Sequence, residues 1–152
     1  MLNYSLEPIF SYHLQLNPPE ILGPVPEGIR INAYTKSGTV TGEKVNGILR
    51  PVGGDWVTVR PDGVGITDVR GTIETEDGAL IYITYTGVLE LGEDGYQKVL
   101  EGKLPTNAKI RSAPRFQTAH PDYLWLNRIQ AISVAEIDLT TFIADFDVYA
   151  VR

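Results

Sequence analysis

Cysteine is missing from this 152-residue chain. With it go disulfides, thiolate metal centres, iron–sulfur clusters and any cysteine nucleophile. Histidine is scarce: His13 and His120 are the only two. They lie far apart and show no ligand spacing, so no zinc or iron site is expected, since such a site takes three or four ligands. No run of Lys or Arg occurs, and the formal net charge is -6, from 13 Lys plus Arg against 19 Asp plus Glu. A nucleic-acid binder needs a basic footprint, and an anionic bilayer repels an acidic surface, so neither is an expected partner. No apolar run approaches the roughly 20 residues that span a bilayer. Residues 1–16 lack the basic start, apolar stretch and small-residue cleavage site of a secretory signal, which makes a cytoplasmic location the default expectation. The Gly-x-Ser-x-Gly elbow, the P-loop and the dinucleotide fingerprint are also missing, and no cofactor is expected.

What is present is ordinary globular composition, 43% hydrophobic and 21% charged, in a length that suits one domain over residues 1–152. Fifteen Gly and 10 Pro cut the chain into short runs rich in Val, Ile, Thr and Tyr, the pattern of a barrel or a sandwich. Strands are predicted over residues 8–16, 28–35, 39–42, 45–50, 55–60, 65–75, 79–91, 109–118, 124–135 and 142–151. One short helix is predicted over 95–104, where Tyr96, Val99, Leu100 and Lys103 recur at helical spacing. Pro61-Asp62-Gly63 and Glu76-Asp77-Gly78 mark hairpin turns. About ten strands in one small domain leave long unpaired edges unless the sheet closes. The expected fold is therefore all-β, a single antiparallel barrel, with a two-sheet sandwich as the alternative.

Strand faces point to candidate site residues. Ile66, Asp68, Arg70, Thr72 and Glu74 share one face, which either meets solvent or lines a wet pocket. Tyr123, Trp125 and Asn127 share another, an aromatic plate beside an amide that suits a ligand shelf or a packed core. Asp55 follows Gly53-Gly54 and precedes Trp56. Burial beside apolar groups raises a carboxyl pKa and suits it to acid–base work, while Arg60 or Arg70 can hold a carboxylate or stabilise a developing anion. Taken singly, Asp55 reads slightly better as a turn cap and each arginine as a structural ion pair.

An ordered series of residues adds to this. It runs Gly28-Ile29-Arg30, Gly47-x-Leu49-x-Pro51-x-Gly53-Gly54-Asp55-Trp56, Arg60-Pro61-Asp62-Gly63, Asp68-x-Arg70, Asp77-Gly78, Ile81-Tyr82, Tyr85-x-Gly87, Pro114-x-Phe116-x-Thr118 and Tyr123-x-Trp125-Leu126-Asn127-Arg128. In order and spacing it resembles the family catalogued as domain of unknown function 3237, over nearly the whole chain. The resemblance implies a calycin-like, lipocalin-like barrel with a central cavity. It also implies cofactor-free chemistry of the cyclase, isomerase or lyase type on an apolar, aromatic or polyketide-like molecule that bears a hydroxyl or carbonyl. On that reading Asp55 moves a proton, and Arg70 and Tyr82 stabilise negative charge. Arg30, Trp56, Arg60, Asp68, Tyr85, Trp125 and Asn127 contact the substrate, with Arg70, Tyr82 and Asn127 inside the barrel or at its rim. Gly71 departs from the bulkier residue expected there, which either enlarges the pocket or bends the strand. A non-catalytic carrier of a hydrophobic small molecule is the alternative reading, and a homodimer formed through a strand edge is a third expectation.

Overall fold

Period-two alternation builds the wall of the molecule. In the computed structural model, which describes all 152 residues, the first strand, β1 (Leu6–Leu16), buries Phe10, Tyr12, Leu14 and Leu16 and exposes Ser11 and His13. The other strands are β2 (Glu20–Val25), β3 (Gly28–Thr41), β4 (Gly47–Leu49), β5 (Gly54–Val59), β6 (Val64–Thr75), β7 (Leu80–Glu90), β8 (Asn107–Ser112), β9 (Arg115–Gln117), β10 (Ala131–Asp138) and β11 (Ile143–Val151). Eight of them close a ring of antiparallel ladders in the order β1-β11-β10-β8-β7-β6-β5-β3 and back to β1. The sandwich alternative is thereby set aside. Off this ring, β2 pairs only with β3 and β9 only with β7, while β4 links the far ends of β3 and β6. One cluster of 32 buried residues fills the interior.

The structure corrects several sequence boundaries. The turn expected at Lys36-Ser37-Gly38 does not form. β3 runs through it, and a register slip opposite Gln15 and Leu16 absorbs the extra residue as a bulge. The loop expected before Gly28 contains β2, where Pro24 is tolerated because the strand is an edge. The strand expected over 109–118 breaks at Ala113-Pro114 into β8 and β9.

The strand expected over 124–135 begins instead as a 3-10 helix, Pro121–Arg128. Pro121 occupies its first position, His120 Nδ1 accepts the Asp122 N–H at 3.3 Å, and the buried residues are Tyr123 and Leu126, three apart as this helix type requires. The short helix α1 (Gly95–Leu100) follows the end of β7, whereas the 3-10 helix follows β9, which pairs with the start of β7. The two helices therefore sit at opposite ends of the barrel. At the α1 end the β5–β6 turn is tied to the chain leaving β7, because the Leu91 N–H donates to Gly63 O at 3.2 Å.

Two inward-facing glycines make a test of this packing. A Cβ on Gly87 would stand 2.3 Å from the Arg111 carbonyl oxygen and 2.6 Å from Ser112 Cβ, so the β7–β8 ladder would have to part. A Cβ on Gly71 meets nothing nearer than Ile83 Cγ2 at 3.4 Å and faces a gap of about 20 Å³ beside Tyr12 and Tyr85. Of the two alternatives for Gly71, this geometry agrees with enlarged space. Gly87→Ala is expected to cost about 2 kcal/mol or more in urea unfolding. Gly71→Ala is expected to leave stability unchanged or to raise it by a few tenths of a kcal/mol or more, through a less flexible unfolded chain.

Candidate functional site

At the α1 end of the barrel the inward side chains do not meet. They leave a chamber of about 80 Å³. Its wall is apolar, built from residues such as Ala33, Val57, Leu89, Ile110 and Ile137, and its mouth is ringed by Pro19, Ile21, Leu104, Leu139 and Phe142. Asp55 is the single ionisable side chain lining it. Alternation along β5 turns Asp55, Val57 and Val59 inward. Asp55 lies four residues before Val59, about 13 Å further along the strand from the mouth at ~3.3 Å per residue.

A defect in the sheet holds Asp55 in place. β5 and β6 pair at Gly54–Arg70, Asp55–Val69, Thr58–Ile66 and Val59–Gly65, and the pairing lapses at Trp56 and Val57. There the Asp68 N–H donates to Asp55 Oδ1 at 2.9 Å, and Arg30 Nη1 donates to the Trp56 carbonyl at 2.9 Å. Side chains thus satisfy backbone groups beside the gap, as buried polar groups require. Burial among apolar side chains pushes the Asp55 carboxyl up to about 7. The Asp68 N–H pulls it the other way, and the Asp68 carboxylate adds to the rise. Near neutral pH the group is therefore present in both forms.

Tyr85 shares the inward row with Asp55, through Val69 on the strand between them. Its hydroxyl lies 3.0 Å from that of Tyr12 on the facing wall, and the Tyr12 ring stacks on Phe146 at 4.4 Å. Burial holds both phenols well above their usual range, and the Asp55 charge pushes them further in the same direction. They stay neutral. Two hydroxyls sharing one hydrogen bond leave one O–H proton free to donate. The sequence reading missed Tyr12. The only signal was its place among Phe10, Leu14 and Leu16, which shows that it points inward and nothing of what it meets. Thr67, buried on the same inward face, also has a hydroxyl without a partner.

The other proposed site residues lie elsewhere. Arg70 and Asp68 face outward and pair with each other at 3.3 Å, and the Arg70 guanidinium lies 5.7 Å from the Trp56 ring centre on that outer face. Trp56 meets Tyr34 edge to face. Arg60 is bonded to Asp62 in the β5–β6 turn at 2.5 Å. Tyr82 points outward into a wide surface groove with Thr84, Arg115 and Gln117. Asn127 spends its amide on Thr118, accepting from the N–H and donating to the carbonyl, both at 2.8 Å. Trp125 is half-buried under Lys44. The interior or rim position expected for Arg70 and Tyr82 is thus corrected, and Asn127 sits on the 3-10 helix at the other end of the barrel from the chamber; of the ten candidates, only Asp55 and Tyr85 come together inside.

His120 lies with Asp77 and Asp122, their ligand atoms within 4.8 Å of one another, a grouping that chain distance had hidden. Asp77 accepts from the hydroxyls of Thr75 and, at 2.9 Å, of Tyr123. These bonds tie the β6–β7 turn to the 3-10 helix and hold the Asp77 carboxyl below its usual range. No helix of the structure is long and apolar enough to cross a membrane.

One backbone feature belongs to the mouth. Phe142, in the β10–β11 turn, has φ 57, a conformation that costs a bulky residue about 1–2 kcal/mol.

Known proteins place this architecture. A family model described as "Protein of unknown function (DUF3237)" matches residues 4–151, and the chain belongs to that family. A UPF0311 protein of Clostridium acetobutylicum is 33% identical over 128 residues, covering 82% of this chain and 80% of that protein. A crystal structure of a β-barrel-like protein from Acinetobacter baumannii superposes with a TM-score of 0.84 at 30% identity, over 100% of this chain and 98% of the other. An enzyme from Penicillium herquei shares the fold at a TM-score of 0.72 and 20% identity, with 100% and 97% of the two chains covered.

The pKa of Asp55 makes stability depend on pH in a definite direction. The folded value of about 7 stands above the 3.8 of an unperturbed aspartate, so the folded chain keeps a proton that the unfolded chain has lost. That contribution is complete below about pH 4 and disappears as pH rises through about 7. Asp55→Asn is expected to match the wild type near about pH 4 and to exceed it near about pH 8, by up to about 4 kcal/mol. Urea unfolding of both proteins across this range reads the difference. Parallel curves would show that Asp55 titrates normally.

Proposed function

We propose that this member of the family admits a small, mainly apolar molecule bearing one hydroxyl or carbonyl, and that Asp55 moves a proton on it. The observation that carries this reading is a lone carboxyl on the floor of an apolar chamber, poised near neutrality. A ligand pocket is typically apolar with a few placed polar groups.

In the proposed step the Asp55 carboxylate takes a proton from the carbon next to a carbonyl, and the electron pair moves onto the carbonyl oxygen. The resulting acid returns the proton at another atom, so an isomerisation balances without oxidant or cofactor. The spare O–H of the Tyr12–Tyr85 pair, in the row of inward side chains that also holds Asp55, supplies a donor for the developing oxyanion. It takes the role first assigned to Arg70 and Tyr82. At about 80 Å³ the closed chamber is smaller than the ~150 Å³ that receives a benzene ring, so anything larger than a few heavy atoms enters only if the mouth yields.

Deuterium exchange at the α-carbons of acetone and cyclohexanone in D2O tests the reading without knowledge of the natural substrate. Wild type is expected to exceed the buffer rate by about 10²-fold or more, and Asp55→Asn to fall back to it. Binding of either ketone without exchange would assign the protein as a carrier. Equal exchange in the two proteins removes Asp55 from the chemistry.

A further inference from the structure

We propose that Phe142 is a plug that sets the size of molecule able to reach Asp55, and that an aromatic ring is kept there in a backbone conformation suited to glycine. The inference rests on the interior-binding reading above and concerns what that site accepts.

The turn itself gives no reason for a phenylalanine. Asp138 Oδ1 accepts the N–H groups of Thr140 and Thr141 at 2.7 and 3.1 Å, and the Phe142 N–H donates to the Asp138 carbonyl at 2.8 Å. A hairpin loop of this kind ends on a residue with positive φ, where glycine or asparagine is favoured. Every other residue of the chain with positive φ is a glycine. The sequence therefore uses glycine wherever this conformation recurs and departs from it at one place, the mouth of the chamber.

What the ring does there follows from its neighbours. Phe142 and Leu139 line the mouth from the β10–β11 turn, and Pro19 and Ile21 line it from β2 and the loop before it. No backbone hydrogen bond joins β2 to the turn. Elsewhere around this rim the chain is stitched. Leu16 N–H donates to the Phe142 carbonyl at 2.9 Å, Leu139 N–H to Thr106 O at 2.7 Å, and Leu91 N–H to Gly63 O at 3.2 Å. The rim thus has one seam closed by side chains alone, and the strained aromatic stands in it. A ring in this position leaves room for small neutral alcohols and ketones and excludes fused-ring compounds. Its removal widens the passage without touching Asp55, Tyr12 or Tyr85.

Methyl NMR of the chamber leucines and isoleucines, with 2-propanol, phenol and 2-naphthol as probes, tests this in wild type, Phe142→Gly and Phe142→Ala. Wild type is expected to bind 2-propanol, which reports that the interior site is accessible with the ring in place. Both variants are expected to bind 2-naphthol at least about tenfold more tightly than wild type does, a change of about 1.4 kcal/mol. The glycine variant is also expected to melt above the alanine variant, because only alanine keeps the strained Cβ. Equal 2-naphthol binding in all three overturns the plug and leaves the interior site standing. Absence of any probe from the chamber in every variant overturns both. If one variant does not fold, the other carries the comparison with wild type.

Discussion

The ladder between β1 and β11, running from the Leu6–Val151 pair to the Gln15–Ile143 pair, is the constraint on which the rest depends. It joins the first strand to the last and turns a sheet with two free edges into a ring. Once the ring is shut, every inward side chain shares one narrow interior, and the choice at each position is limited by its neighbours across the barrel. The stack of Tyr12 on Phe146 spans this seam. It places the Tyr12 hydroxyl against Tyr85 on the opposite wall. Without the closing ladder there is neither a chamber nor a pair of phenols beneath it.

Within that interior a carboxyl is an unfavourable choice for stability. An ionised aspartate among apolar side chains loses its hydration, and one backbone N–H from Asp68 recovers only part of it. The interrupted β5–β6 ladder gives up regular pairing to supply that bond. Local features that lower stability and are fully supported by their surroundings are the ones most readily connected with a task. The outward network of Arg70, Asp68 and Trp56 has no such character: it is exposed, paired and screened.

Much of the wall was legible in the sequence. Alternation in residues 8–16 and 65–75 and the turn residues at 61–63 and 76–78 placed most strands, because period and turn chemistry are local properties. The choice of face was not local. Asp68, Arg70, Thr72 and Glu74 alternate just as cleanly whether they line the barrel or leave it, and only the ring decides. Tyr82 and Tyr85 differ by three positions and therefore lie on opposite faces, so the sequence named both and the fold kept one inside. The segment around Trp125 misled for another reason. Its apolar residues suit a strand as well as a 3-10 turn, and the packing of Tyr123 and Leu126 settles the matter. Asp55 was legible because an acid flanked by Gly53-Gly54 and Trp56 is conspicuous, whereas its hydrogen bond to Asp68 belongs to the ladder gap and has no sequence signal.

The rim of the chamber is unequal around its circumference. The β5–β6 turn is bonded to the chain leaving β7 through Gly63 and Leu91, and Asp55 stands on β5, on this fastened flank. The unfastened seam lies across the opening, between β2 and the β10–β11 turn. The opening is thus bounded by two unlike flanks: the one above Asp55 is joined by a backbone hydrogen bond, and the facing one meets through apolar side chains alone. On the reading proposed above, a molecule entering here displaces only those apolar contacts and leaves the surroundings of the carboxyl in place.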